Sequence, residues 1–377
     1  MGDVNRFLSL AAPGLRGLAP YVPGKPPETV ERELGIRGSI KLASNENPLG
    51  PGPRSRAALS AAIANVGHYP DGSGHGLRAR IAHRHGLDIA QVTLGNGSNE
   101  ILVMLAEAFL VPGVEAVHSQ HAFAVYPSAI QAAGATGREA PAFPPGHPQP
   151  LGHDPAALAA AIGAKTRLLF VANPNNPTGT WLDESQLDGL LRAVPPEVIV
   201  VLDEAYHEYS APRGVPDAAN WLERHPNLVV TRTFSKAYGL AGLRAGYAIS
   251  HPDLADVLNR IRQPFNVSVP ALAAAAAAFD DHEHLARTIA LNRAGLERLR
   301  EGLARLRISA PPSAGNFVLA DIGRAAKPVY QALLREGVIV RPLENYGLPN
   351  HLRISTGTDE QVERVLAAMA IAVTVPA

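Results

Sequence analysis

The chain contains only five lysines, Lys25, Lys41, Lys165, Lys236 and Lys327, and one stands apart. Lys236 closely follows the apolar run Asn227–Val230, in Thr233–Phe234–Ser235–Lys236, and Arg244 comes shortly after. Burial and neighbouring positive charge lower the pKa of an amine placed at a strand's carboxyl end, which suits an imine-forming lysine. Taken alone, a surface lysine with a solvated head group fits as well. Asp203 directly follows the run Val198–Leu202 and opens Asp203–Glu204–Ala205–Tyr206. A carboxylate there can keep a heterocyclic nitrogen protonated, and Tyr206 can hydrogen-bond a ring hydroxyl; the plainer alternative is an aspartate capping a helix. Asn173–Pro174–Asn175–Asn176–Pro177–Thr178–Gly179 forms a rigid turn from which Asn176 can present its amide to a ligand hydroxyl, or a turn and nothing more. Gly95–Asn96–Gly97–Ser98–Asn99 precedes a helical pattern, and free N–H groups at a helix start favour a phosphate. It lacks the third glycine of a dinucleotide fingerprint and the GK[ST] of a nucleotide-binding loop. Ser235 and Arg244 can complete a phosphate cup. Phe123 can stack on a flat ring, although a core role is the ordinary one for an aromatic.

The elements that must position these residues follow from short apolar runs. Leu168–Val171, Val198–Leu202 and Leu228–Val230 read as buried strands, with helical patterns between some of them. That alternation predicts an α/β fold with a mostly parallel sheet, in which ligands bind at the carboxyl ends of the strands. After about Pro264 the texture changes. The Ala-rich stretch 271–278 and the charged segment 281–307 read as long helices, and NFVLADI, GVIVRPL and HLRIST as short strands of a smaller α+β unit. The expected division is an N-terminal arm over 1–30, a large domain over 31–264 and a small domain over 265–377. A lysine, an aspartate, an asparagine, a tyrosine and a Gly/Ser loop, all at strand or loop ends of such a sheet, are the parts a pyridoxal phosphate site requires.

Composition excludes several other classes. Across 377 residues, Lys+Arg and Asp+Glu both number 34, so no strong basic field marks a nucleic-acid binder. Cysteine is absent, which removes disulfides, thiolate metal sites and thiol nucleophiles. Hydrophobic residues make up 46%, enough to bury a core. No apolar run is long enough to span a membrane, and the start, MGDVNRFLSLAAPGLRGLAP, reads as an arm rather than a signal peptide. The expectation is a cytoplasmic enzyme of small molecules with no metal.

Eight stretches carry a resemblance: PYVPGK at 20–25, LASNENPLGP at 42–51, YPDG at 69–72, GNGSNE at 95–100, NPNNPTG at 173–179, VLDEAY at 201–206, TFSKAYGLAGLRAGY at 233–247 and HLRISTGT at 351–358. Their order and spacing resemble fold-type I pyridoxal-phosphate aminotransferases and, within them, the histidinol-phosphate aminotransferases. The resemblance implies a seven-stranded, mostly parallel sheet between helices, a smaller α+β domain and an N-terminal arm. It implies that Lys236 binds the cofactor covalently and moves a proton during turnover, that Asp203 pairs with the ring nitrogen, that Asn176 and Tyr206 contact the ring hydroxyl, and that Phe123 stacks on the ring. Ser98, Asn99, Thr233, Ser235 and Arg244 would hold the phosphate. Tyr69 resembles a tyrosine that reaches the neighbouring subunit's cofactor, which implies a homodimer with shared sites. Arg353 matches an arginine for the substrate's anionic group, and Tyr21, Asn47 and Arg341 match substrate-pocket positions, with Asn316 on the small-domain side. His68 and His121 depart from the family pattern beside the site.

The reaction this resemblance implies is transfer of the amino group of L-histidinol phosphate to 2-oxoglutarate, giving imidazole acetol phosphate and L-glutamate in histidine biosynthesis. An aromatic amino-acid aminotransferase on the same scaffold is the alternative, since both need an anion-binding arginine and a flat pocket. A phosphothreonine-decarboxylase-type lyase shares much of the pattern, and a non-catalytic regulatory protein is a further reading.

Overall fold

In the computed structural model, residues 6–20 and 22–375 are described. Seven strands form the large sheet: β2 (Val92–Gly95), β3 (Glu115–Ser119), β4 (Thr136–Ala140), β5 (Thr166–Ala172), β6 (Ile199–Asp203), β7 (Leu228–Thr233) and β8 (Gly246–Ser250). Their order is β2-β8-β7-β6-β5-β3-β4, parallel from β7 to β4, with β8 antiparallel to both β7 and β2. The central strands are apolar at every second residue on both faces, because both faces are covered. Leu169, Val171, Val200, Leu202 and Val230 point into one core. Their neighbours Leu168, Phe170, Val201 and Val229 point into the other, beneath the helix Ser98–Phe109.

A smaller antiparallel sheet has the order β11-β12-β9, built from β9 (Phe317–Asp321), β11 (Arg341–Leu343) and β12 (Leu348–Ser355). Its core joins Val318, Ala320, Leu352 and Ile354 to Leu299 and Leu303 of the helix His282–Arg305 and to Val365 and Met369 of the helix Asp359–Ala372. A capping box of Thr358 and Gln361 starts the latter helix.

The beginning of the chain packs on this small unit. The two-residue strand β1 (Ile40–Lys41) pairs in parallel with β10 (Val338–Ile339), and Leu42 enters the small core. Val30 and Ala43 close on Leu334 and Ile339. The Ala-rich helix Val269–Ala278, in contrast, buries Ala271, Ala274 and Ala275 in the large core. The strap from Ala43 to Asn47 therefore lies between the two sheets, and it borders the site described next. No described helix is long and apolar enough to cross a membrane.

Candidate active site

Strands β5, β6 and β7 end side by side, and each end carries a polar residue into one cavity of about 500 Å³. Asp203 closes β6, the Asn173–Gly179 turn follows β5, and Lys236 comes three residues after β7. Parallel strands aligned in this way are why residues distant in sequence converge at one edge.

Lys236 is half-buried where it lines the cavity, and its Nζ donates to Ser44 O at 3.0 Å. Burial, reinforced by Arg353 and Arg244 and opposed by Glu46 and Asp203, lowers its pKa to about 8. Asp203 is buried and accepts from Tyr126 Oη at 2.9 Å, Thr231 Oγ1 at 3.3 Å and the Ala205 N–H at 3.2 Å. Burial pushes its carboxyl up, while those donors and Lys236 pull it back. Tyr206 lies under Lys236, with Nζ 5.9 Å from the ring centroid, and accepts from Asn45 Nδ2 at 2.8 Å. Burial raises this phenol to about 12.

At the other end of the cavity, Gly97 caps the helix Ser98–Phe109 with φ of 80° and offers no side-chain acceptor to the first helical N–H groups. Those N–H groups, with the dipole behind them, attract an anion. Arg244 folds over them, bonded to Ser235 Oγ at 3.2 Å and Asn96 O at 3.3 Å. The φ of 80° favours glycine, and a Cβ there would come within 2.2 Å of Arg244 Nη2 and push the guanidinium aside. Ser98, Asn99, Thr233 and Ser235 line it, and Phe123 and Asn176 line the cavity beyond. An uncapped helix start, a guanidinium and hydroxyls at one end, with a carboxylate, a phenol and a depressed amine at the other, fit the phosphate, ring nitrogen, ring hydroxyl and aldehyde of pyridoxal phosphate.

Other expected contacts fall elsewhere. Arg353 stands behind the wall, with Nη1 donating to Asn176 Oδ1 and Nη2 to Ala43 O, each at 2.5 Å. Arg341 lines a neighbouring cavity of about 630 Å³ with His118, His121 and Tyr346, and donates to Val22 O at 2.8 Å. The two cavities flank the segment His121–Val125. Asn47 does not line the main cavity as expected: its Nδ2 is committed to Ala237 O and Thr288 Oγ1, and its Oδ1 to the Leu49 N–H. Asn316 is buried and holds Asn45 O at 3.0 Å rather than facing the cavity. Tyr69 is 82% exposed, stacked on Phe265 at 4.7 Å, and Tyr21 lies outside the described residues. His68 is exposed, and His121 Nδ1 meets Tyr346 O at 2.6 Å.

Tyr126, Asn45 and Ser44 were not anticipated. Tyr126 lies three residues beyond Phe123, a spacing that shares one side of a helical turn and was the available signal. Asn45 and Ser44 act from a strap, just before Pro48, whose local pattern carries no trace of the partner it meets.

Comparison with known proteins adds the family. The model for aminotransferase class I and II matches residues 37–369. Histidinol-phosphate aminotransferase 2 of Pseudomonas aeruginosa is 56% identical over 368 residues, covering 97% of this chain and 98% of that protein. The protein of the same name from Pseudomonas fluorescens Pf-5 is 54% identical, covering 97% of each. Among solved structures, the histidinol-phosphate aminotransferase of Sinorhizobium meliloti in complex with pyridoxal-5'-phosphate superposes with a TM-score of 0.87 at 28% identity, over 99% of both chains. An aspartate aminotransferase double mutant of Thermus thermophilus shares the fold, with a TM-score of 0.81 at 23% identity over 96% of this chain and 99% of that one.

Proposed function

The chain belongs to the class I and II aminotransferases, and from that premise we propose that it uses pyridoxal phosphate to move the amino group of L-histidinol phosphate to 2-oxoglutarate, yielding imidazole acetol phosphate and L-glutamate. The observation that carries the substrate is the 56% identity, over nearly the full length of both chains, to a histidinol-phosphate aminotransferase. The convergence of Lys236, Asp203 and Tyr206 at three strand ends supports the reaction type.

Bound pyridoxal phosphate supplies a protonated ring that takes up the electron pair released at the substrate's amino-bearing carbon. Asp203 holds the proton on the ring nitrogen, and its buried place beside Tyr126 and Thr231 keeps water from competing for it. Lys236, with its pKa lowered to about 8, has a substantial neutral fraction near neutral pH and so can take the proton from that carbon and return it one atom away. Tyr206 and Asn176 orient the ring hydroxyl, and Phe123 covers the ring. Ser98, Asn99, Thr233, Ser235 and Arg244 anchor the phosphate, so that the reacting end is held still while substrates exchange.

Arg353, reached through Asn176, is the cation we assign to the donor's anionic group, and Arg341 in the adjoining cavity a second. We assign Tyr21 to substrate binding as well. Exposed Tyr69 supports a homodimer in which it reaches the partner's phosphate site, and a cytoplasmic location suits the substrates. We propose a division into an arm over 1–30, a large domain over 31–264 and a small one over 265–377, adjusted where 40–43 pack on the small core and 269–278 on the large.

The test measures glutamate formed from 2-oxoglutarate with histidinol phosphate, phenylalanine, tyrosine or threonine phosphate as donor. Histidinol phosphate is expected to give by far the highest kcat/KM. Equal or faster reaction with phenylalanine or tyrosine would overturn the substrate, and carbon dioxide released from threonine phosphate without glutamate would overturn the reaction type.

A further inference from the structure

A closed set of hydrogen bonds below the cavity wall dictates which way the Tyr206 hydroxyl points. Asn45 is buried and adopts a left-handed backbone, with φ of 55°. Its N–H donates to Ser355 Oγ at 2.9 Å, and Ser355 Oγ in turn donates to Asn45 Oδ1 at 2.8 Å. Asn316 Nδ2 fixes the same residue from the other side through Asn45 O. With Oδ1 turned to the serine, the amide must present Nδ2 to Tyr206, 2.8 Å away. The reversed amide would aim Nδ2 at an oxygen that already accepts the Asn45 N–H. It would leave the buried Ser355 hydrogen with no acceptor among the described residues, so the network selects one orientation. A phenol oxygen that accepts from an amide has its own hydrogen left for a different acceptor, and the open direction is the cavity that Tyr206 lines.

We propose that Asn45 is a positioning residue for this site: by donating to Tyr206 it obliges the phenol to donate to the ring oxygen of bound pyridoxal phosphate. Ser355 and Asn316 belong to or adjoin the small sheet, so Asn45 also ties the orientation of Tyr206, three residues past β6 of the large sheet, to the position of the small unit. The inference rests on the proposed function. A donor held on the ring oxygen competes with the cofactor's own proton for that oxygen, so the loaded enzyme loses the proton at a lower pH than it otherwise would.

The experiment titrates the visible absorption of enzyme loaded with pyridoxal phosphate, without any amino donor. Asn45→Gly keeps a left-handed backbone accessible and removes only the amide. Its midpoint is expected to rise by about 0.5–1 pH unit, the equivalent of one neutral hydrogen bond. Tyr206→Phe should raise the midpoint as well, and adding Asn45→Gly to it should change nothing further. Asn45→Asp, whose carboxylate accepts where the amide donated, should raise it more than glycine does. Arg353, Asp203, Tyr346, Lys236, Tyr209 and Tyr126, which also face Tyr206, are unchanged in the Asn45 variants. An unmoved midpoint in Asn45→Gly, or a shift of the same size with Tyr206 already replaced, overturns the proposal. If Asn45→Gly does not fold, Ser355→Ala, which frees the amide to reverse, must raise the midpoint in the same Tyr206-dependent way. A wild-type protein that gains no titrating band with pyridoxal phosphate would instead overturn the proposed function.

Discussion

Lys236 shows how much of a side chain's chemistry is set by its surroundings. Burial, aided by Arg353, brings its amine from 10.5 to about 8. Capture of free pyridoxal phosphate needs the neutral amine, so its rate should rise with pH and level off above about 8 rather than near 10.5. Stopped-flow mixing of the cofactor-free protein checks this, and Arg353→Gln, which removes the positive neighbour, should move the inflection upward. Lys236→Ala should still bind cofactor but lose turnover and the imine spectrum. Asp203 depends on its neighbours in the opposite sense, because burial alone would neutralise it and Tyr126 helps keep it charged. Tyr126→Phe takes away the 2.9 Å bond and should weaken pyridoxal phosphate binding about tenfold, within the range for a hydrogen bond to a charged group. Equilibrium dialysis reads it directly.

At the scale of elements, the phosphate cup is made of backbone. The helix Ser98–Phe109 brings its N–H groups to the site only because Gly97 turns with φ of 80° and leaves room for Arg244. Gly97→Ala strains that turn and displaces the guanidinium. It should therefore lower affinity for pyridoxal phosphate far more than for pyridoxal, which lacks the phosphate, and fluorescence titration of the two ligands gives the ratio. Elements of this kind were legible in the sequence. The runs around Leu168, Val200 and Val229 declare buried strands because both faces of those strands are covered, and the residues just past them hold the site. The contacts that cross between units were not. Asn47 looks like a pocket residue in a Pro-rich loop, yet its amide is used on Ala237 O and Thr288. Tyr126 sits in an apolar helix and passes for core, and nothing near Asn45 in the chain announces Ser355 or Tyr206. The pairings of Asn45 depend on how two sheets are docked and that of Tyr126 on how its helix packs on the large sheet, neither of which local periodicity encodes.

The molecule as a whole has a second polar cluster on the far side of β6 and β7. Arg232 is 3% exposed and bonds Glu204 Oε2 through Nε at 2.9 Å and Nη2 at 2.6 Å, with Asp217 Oδ1 at 2.5 Å. Its chain neighbours Thr231 and Thr233 bracket it, one on Asp203 and the other lining the phosphate cup. Arg232→Met would leave Glu204 buried without its cation, and should cost about 3–5 kcal/mol of stability, measured by urea unfolding. The proposed dimer makes a different prediction. Mixing Tyr69→Ala with Lys236→Ala subunits, each nearly inactive alone, should restore about a quarter of wild-type activity, because half the dimers are mixed and each mixed dimer holds one complete site.

The pairing of β1 with β10 has a consequence for how the protein is made. Ile40 finds its partner Val338 only after about 300 further residues have been synthesised, and the strap that follows β1 supplies the contacts to Lys236, Tyr206 and Arg353. On the ribosome, the large sheet can form while the first forty-odd residues still wait for their place. A nascent chain released before β10 emerges would have Lys236 and Asp203 but no strap across them. A segment translated late therefore determines when one translated about 300 residues earlier can complete the site.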